Sequence, residues 1–228
     1  DASKYSGTLD FAKISGSGAT VSLGTIGNFS ASSIISTKAF TMDGSASLSA
    51  DIVISQLDVS GAGAITLGAG SGAISIGSAS TAGAFTLDAT NSKATIDATF
   101  ISASGTVSVV TGTSGDFSAS TVFSTKGFVL DASNASGASI GIATVNVGNT
   151  DSSITLGSGT GVLSGNIVTS NADLVIDGSK SNASIDIASI SASGLTVSLG
   201  AAGDFSANIV AVDKAFTLDA SVASSADI

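Results

Sequence analysis

The sequence predicts an all-β chain wound as a parallel β-helix, a β-solenoid with coils of about 22 residues and two coils in each 44-residue repeat. Three observations carry that expectation. Apolar and polar residues alternate along short runs, as in Ala39-Phe40-Thr41-Met42-Asp43, which is the two-residue period of a strand with one face buried. Related blocks return at near-constant spacing along the whole chain. Proline is absent, as expected where strands are paired on both sides and each backbone N–H is needed.

The alternation sits in a biased composition. The 228 residues include no Pro, Cys, Trp, His, Arg or Glu; the charges are seven Lys and seventeen Asp. β-Branched residues, which fit a pleated surface, are abundant, and strong helix formers other than Leu and Ala are scarce. Bias of this kind accompanies disorder when hydrophobicity is low, but here 43% of residues are apolar.

The repeat is the strongest signal. Phe40-Thr-Met-Asp43 returns as Phe85-Thr-Leu-Asp88, Phe128-Val-Leu-Asp131, Leu174-Val-Ile-Asp177 and Phe216-Thr-Leu-Asp219, and Asp1 reads as the last letter of a further block. The Asp positions 1, 43, 88, 131, 177 and 219 are 42, 45, 43, 46 and 42 residues apart. A longer period of 88 residues relates Gly27-Asn-Phe-Ser-Ala-Ser32 to Gly115-Asp-Phe-Ser-Ala-Ser120 and Gly203-Asp-Phe-Ser-Ala-Asn208, and Lys38 to Lys126 and Lys214. Between the Phe blocks lies a second kind ending mostly in Gly: Val21-Ser-Leu-Gly24, Ile65-Thr-Leu-Gly68, Val107-Ser-Val-Val110, Ile154-Thr-Leu-Gly157 and Val197-Ser-Leu-Gly200. Units of this size cannot bury an apolar face alone, so they stack. About ten coils at ~4.8 Å give a rod on the order of 50 Å long. Phe40, Phe85, Phe128 and Phe216, with Leu174 in the same place, are expected in one internal column, and Phe29, Phe117 and Phe205 at a second position. The competing architecture is a string of immunoglobulin-like sandwiches of about 88 residues, but the linkers rich in Pro or charge that join such modules have no counterpart here. Residues 1–228 therefore read as one continuous solenoid segment. Both ends fall within a repeat, Ser-Ala-Asp227-Ile228 matching Ala50-Asp51-Ile52, so the segment is expected to belong to a longer repetitive chain.

A net charge of −10 disfavours nucleic acid, which needs a footprint of Lys and Arg, and disfavours anionic membrane surfaces. No run approaches the 18 apolar residues of a membrane span.

The recurring Asp43, Asp88, Asp131, Asp177 and Asp219 are the candidate functional residues, and two readings are open. They are calcium ligands, or they are solvated corner residues that bond their own backbone in a turn. If two coils separate them, the carboxylates are ~9.6 Å apart and repel by about 0.4 kcal/mol in water, so no cation is needed to hold the file together. The interposed coils are expected to carry Gly at that register. Asp51, Asp97, Asp186 and Asp227 form a second recurring set able to add oxygens, whereas the Gly-Gly-x-Gly-x-Asp nonapeptide of toxin-type calcium rolls does not occur. The Lys residues before the Phe blocks, with Lys4, Lys93 and Lys180, either blunt a coil edge and pair with a nearby Asp or contact an Asp of a neighbouring subunit. Asn28-Phe-Ser30, Asn134-Ala-Ser136 and Asn182-Ala-Ser184 are glycosylation sequons.

Catalysis has few groups to draw on. Without His or Cys there is no Ser-His-Asp triad, thiol nucleophile or common zinc site. Polysaccharide-cleaving β-helices that use Asp clusters are the fairest enzyme rival, but a catalytic cluster interrupts a repeat at one place, and the Asp here recur. The Gly68-Ala-Gly-Ser-Gly72 stretch lacks the Lys-Ser/Thr of a phosphate loop, and one Thr-x-Thr triplet, Thr111-Gly-Thr113, is too few for an ice-binding ladder. The expectation is a non-enzyme.

In its Phe216-Thr-Leu-Asp-Ala-Ser221, Ile185-Asp-Ile-Ala-Ser-Ile-Ser-Ala-Ser-Gly194 and Thr196-Val-Ser-Leu-Gly200 segments the chain resembles the long "β-strand repeat" surface proteins of bacteria, which include S-layer proteins, giant adhesins and extracellular filament or sheath proteins. The resemblance implies a secreted, cell-surface location and frequent calcium dependence. It implies a structural role as a rod-like subunit of a layer, sheath or filament built by self-association. The stalk of a large adhesin is the alternative, and surface polysaccharide is a further partner.

Overall fold

The computed structural model describes residues 7–25, 27–49, 51–70, 72–113, 116–158, 161–224 and 227. Asp1, Lys4, Ala50, Ser71, Gly115 and Ile228 lie outside them. The chain is a β-solenoid of about nine turns. Its strands come in pairs, one long and one short per coil: Thr8–Gly16 with Ala19–Ser22, Asn28–Ser36 with Phe40–Gly44, Ile52–Val59 with Gly63–Leu67, Ile74–Thr81 with Phe85–Asp88, and Ile96–Ala103 with Val107–Val110. The second half continues with Phe117–Ser124 and Phe128–Ala132, Ile140–Val147 and Ser152–Leu156, Val162–Ser170 and Leu174–Gly178, and Ser184–Ala192 and Leu195–Leu199. Coil ten splits its long strand into Phe205–Ser206 and Ile209–Val212 before Phe216–Asp219. The long strands form one sheet and the short strands another, each strand parallel to its partner one coil away. Parallel pairing throughout the described residues excludes the antiparallel sandwich alternative.

Inside, each sequence period becomes a file of side chains. The first inward residues of the short strands are Ala19, Phe40, Gly63, Phe85, Val107, Phe128, Ser152, Leu174, Leu195 and Phe216. The expected internal column therefore holds for Phe40, Phe85, Phe128 and Leu174, while Phe216 shares the file but is 43% exposed in the last coil. The rings do not stack on one another, because a smaller residue separates Phe40, Phe85 and Phe128. The third inward file runs the opposite way. Leu23, Leu67, Leu156 and Leu199 sit in the odd coils; Gly44, Ala89, Ala132 and Gly178 sit in the even ones. A coil with Phe at the start of its short strand has Gly or Ala at the end, and coils one, three and seven reverse the sizes, whereas coil five carries Val107 with Thr111 and coil nine Leu195 with Leu199. Close packing tolerates neither a void nor an overlap, so the 44-residue repeat is a packing period. Phe29 and Phe117 occupy one file of the long-strand sheet with Ile52, Ile74 and Ile96. Each has Ala two residues on, at Ala31 and Ala119, where Ile52 and Ile74 have Ile.

The register corrects one alignment. Asp43, Asp88, Asp131, Asp177 and Asp219 are separated by Thr66, Val110, Thr155 and Ser198 in their file, with Ser22 preceding Asp43, and not by Gly. Four of the Gly-ending blocks are displaced by two residues from the Phe blocks, whereas Val107–Val110 is in register. Displacement by two leaves every side chain on the same face, so alternation could not reveal it. The true corner Gly of the fifth block is Gly112.

Each long strand also changes phase in its middle. In Ile52–Val59 the inward residues are Ile52, Ile54, Leu57 and Val59, so Ser55 and Gln56 both face out. The cross-section consequently has three apolar runs. The corner after the long strand is closed by inward hydroxyls: Ser36, Thr81, Ser124 and Ser170 are at most 4% exposed, and their hydroxyls donate to the carbonyls of Ala39, Gly83, Gly105 and Ala172. Buried polar groups are tolerated when so paired.

Candidate functional site

The five predicted carboxylates lie on the outer side of the short-strand sheet, at its C-terminal edge, in every second coil. Each bends the chain out of its strand. Asp43, Asp131, Asp177 and Asp219 accept the N–H of Ser45, Ser133, Ser179 and Ser221 at 2.9–3.0 Å, two residues on. Asp88 accepts the Thr90 N–H at 3.0 Å and its hydroxyl at 2.6 Å. These are Asx turns, in which a side-chain oxygen replaces a backbone carbonyl. The Ser45 hydroxyl and then its N–H hold the Asp43 carboxyl below its ordinary value, and the Ser221 groups do the same for Asp219, against a smaller upward push from burial.

The turn role and a calcium role make different demands. Calcium takes six to eight oxygens. Successive members of this file are two coils, ~9.6 Å, apart, with Ser, Thr or Val between them. No three acidic side chains gather about one point among the described residues. A calcium ion at Asp43, Asp88, Asp131, Asp177 or Asp219 would therefore have to draw most of its oxygens from hydroxyls, backbone carbonyls, water or another chain.

The second expected set divides between two registers. Asp51 belongs to the corner before the long strand, where side-chain carbonyls extend the ladder between coils. Asn28 accepts the Asp51 N–H at 3.0 Å, Asp51 the Ala73 N–H at 2.8 Å, Asp116 the Ser139 N–H at 2.7 Å and Asp204 the Asp227 N–H at 3.0 Å. Asp97 and Asp186 instead follow the inward Ile96 and Ile185 and face outward; Asp97 accepts the Ser118 hydroxyl at 2.7 Å. Asp186 borders a shallow depression over Gly141 and Gly165, with Ser118, Ser164 and Asn166. The structural role of Asn28, Asp116 and Asp204 was not foreseen, although the 88-residue Gly-Asn/Asp-Phe block contained its signal.

Lys13 lies exposed in the long strand of the first coil, and five other Lys residues occupy two places. Lys38, Lys126 and Lys214 are exposed at the N-terminal edge of the short-strand sheet, in coils two, six and ten. Lys214 reaches back two coils to the Asp173 carboxylate at 3.2 Å, past Gly194, which has no side chain to intervene. It is the one ion pair among the described residues. Lys93 and Lys180 are exposed on the opposite edge, beyond Asp88 and Asp177 in coils four and eight. Of the sequons, Asn28 and Asn182 use their carbonyls to accept the Asp51 and Ala202 N–H groups, while Asn134 is exposed on a turn.

Two small cavities lie behind the corner that follows the short strand. Gly44, Ser47, Leu67, Gly68 and Ser92 line one, and their counterparts Ala132, Ala135, Leu156, Gly157 and Ser181 line the other. They repeat with the 88-residue period and are too tight to admit an organic substrate. Among the described residues, no helix is long and apolar enough to cross a membrane. No protein-family model, no curated protein and no solved structure matches the chain.

Proposed function

We propose that the chain is a structural extracellular rod, a subunit of a cell-surface layer, sheath or filament that assembles by self-association. One observation carries this reading: the outward polar groups recur from coil to coil, and the most prominent of them, the five file carboxylates, are engaged by turns of the chain's own backbone. A molecule whose surface is a repeat presents the same contact many times, which suits association with further copies. Its partners are other copies and, at a cell surface, polysaccharide. The unbroken stack of parallel coils also favours a second use of the same rod, as a rigid stalk that holds an adhesin tip away from the cell.

Electron microscopy of the purified 228-residue chain tests this. Regular fibres or layers support the subunit reading. Isolated rods that never associate overturn it in favour of the stalk. Turnover of an acidic polysaccharide by the chain would overturn both and favour a carbohydrate-active β-helix.

A further inference from the structure

The charges on the short-strand sheet are sorted by edge and by coil. Lys38, Lys126 and Lys214 lie along its N-terminal edge in coils two, six and ten, four coils apart. Asp43, Asp131 and Asp219 lie along its C-terminal edge in those same coils. The edges are five residues apart along the chain, ~17 Å. The intervening members of the acidic file, Asp88 and Asp177, are accompanied by Lys93 and Lys180 on their own edge. Negative charge on that edge is thus concentrated in coils two and six, where the opposite edge is positive, and in coil ten, where Asp213 stands beside Lys214.

We propose that this face is a lateral docking surface for a second copy of the chain. Rods lie parallel and side by side, and the lysine edge of one meets the acidic edge of the next without axial stagger. The proposal rests on the self-association reading above and specifies its contact. Lys38 faces Asp43 of the neighbour, and Lys126 faces Asp131. Lys214 faces Asp219 more weakly, because it is already held by Asp173. The acidic residues on the lysine edge fit the same register in part. Asp151, in coil seven, faces Thr155, and Asp173, in coil eight, faces a coil that carries Lys180 as well as Asp177. Asp213, beside Lys214 in coil ten, faces Asp219 and opposes the contact there. A shift by two coils weakens this match, since Lys38 would meet Asp88 with Lys93 on the same edge. Because the two edges differ, the contact is heterologous: each rod leaves one edge of each kind free, and the array extends as an open layer. Exposed pairs are individually weak and screened by salt, so cohesion requires their repetition along the rod and falls as the screening length shrinks from ~10 Å at 0.1 M to ~3 Å at 1 M.

The test is sedimentation and electron microscopy of the full chain at low and high salt, with three variants whose folding is checked by circular dichroism. Wild type should form layers at low salt that separate into single rods or fibres at high salt. Lys38→Asp with Lys126→Asp should lose the layers. Asp43→Asn with Asp131→Asn and Asp219→Asn, which keeps an oxygen for each turn, should lose them too. Lys38→Asp/Lys126→Asp rods mixed with Asp43→Lys/Asp131→Lys rods should regain them, whereas neither alone should. Layers of unchanged spacing in the folded variants, or layers indifferent to salt, would overturn this docking mode and leave self-association standing. A wild-type chain that never associates in any salt would overturn both.

Discussion

Phe85 lies across the space that a side chain on Gly63 would occupy. A Cβ at Gly63 would come within 3.3 Å of the Phe85 ring and 3.0 Å of the Thr81 methyl. Phe85 is fully buried, so the ring fills its own volume and part of the preceding coil's. Gly63→Leu should therefore overpack this site and cost about 1–3 kcal/mol, and Phe85→Ala should cost about 3–5 kcal/mol. Made together they should cost clearly less than the sum, because each change makes room for the other. Denaturation monitored by hydrogen exchange in the Gly63 and Phe85 strands measures this locally, as suits a repeat protein whose coils need not unfold together. Strict additivity would show that the two residues do not share one space.

Thr111 occupies the place that Leu23, Leu67, Leu156 and Leu199 hold in the other odd coils. It is 0% exposed, and its hydroxyl has no hydrogen-bond partner among the described residues. Thr111→Val removes the orphan at constant shape. The expected gain is about 1 kcal/mol or more, since an unpaired buried hydroxyl costs about 1–3 kcal/mol. A loss of stability, read as a lowered midpoint in urea, would point to an unseen partner for that hydroxyl.

Gly112, the next residue, passes so close to the previous coil that an added Cβ would overlap the Ser92 carbonyl. Gly157 and Gly200 meet the Ala135 and Ser181 carbonyls in the same way. The obstacle is backbone and cannot swing aside. Gly112→Ala should open the corner ladder and raise exchange of the Thr113 N–H, which donates to the Ser92 carbonyl at 3.1 Å. Protection unchanged from wild type would refute the close approach.

Acid should weaken the corners. Asp43 titrates below its ordinary value because the Ser45 hydroxyl and N–H favour the charged form. A carboxyl lowered on folding contributes stability that is fully present above its unfolded value, near about 3.9, and that is lost as pH falls through the lower folded value. The thermal midpoint should therefore decline on acidification through that window, and Asp43→Asn should shallow the decline while keeping the turn. A profile flat through the window would show that the turn is indifferent to charge.

Chelation should leave the fold intact. The five file carboxylates are spread one per two coils and do not converge. The expected result is an unchanged thermal midpoint in excess EDTA, and a fall of several degrees would show that a cation shell forms around them.

Much of this architecture was legible in the sequence, and the residues show why. Phe40, Phe85 and Phe128 are large, rare and two coils apart, so their column stands out from a background of Ser and Ala. The pairing of Asp43 with Ser22 and Thr66 did not stand out, because a two-residue slip changes no side chain's face. The mid-strand phase change at Ser55 and Gln56 was hidden because both residues suit a loop as well as a bend. Inward Ser36 and Ser124 were hidden because hydroxyl residues ordinarily read as exposed. They are buried because each donates to a corner carbonyl, Ser36 to Ala39 in its own coil and Ser124 to Gly105 in the preceding one. The Asx turns were one of two readings of the Asp file, and spacing alone could not separate them from cation ligands, since both place the carboxylate at a strand's end.

The alternation of sizes between coils bears on how such a chain changes length. Removing one coil of about 22 residues from the middle would set Phe85 directly on Phe128, with two Gly/Ala ends adjacent in the opposite file, leaving a clash on one side and a hole on the other. Removing two coils restores the alternation of sizes in both files. Duplication and deletion should therefore be tolerated in steps of 44 residues and selected against in steps of 22, so related rods are expected to differ by whole pairs of coils.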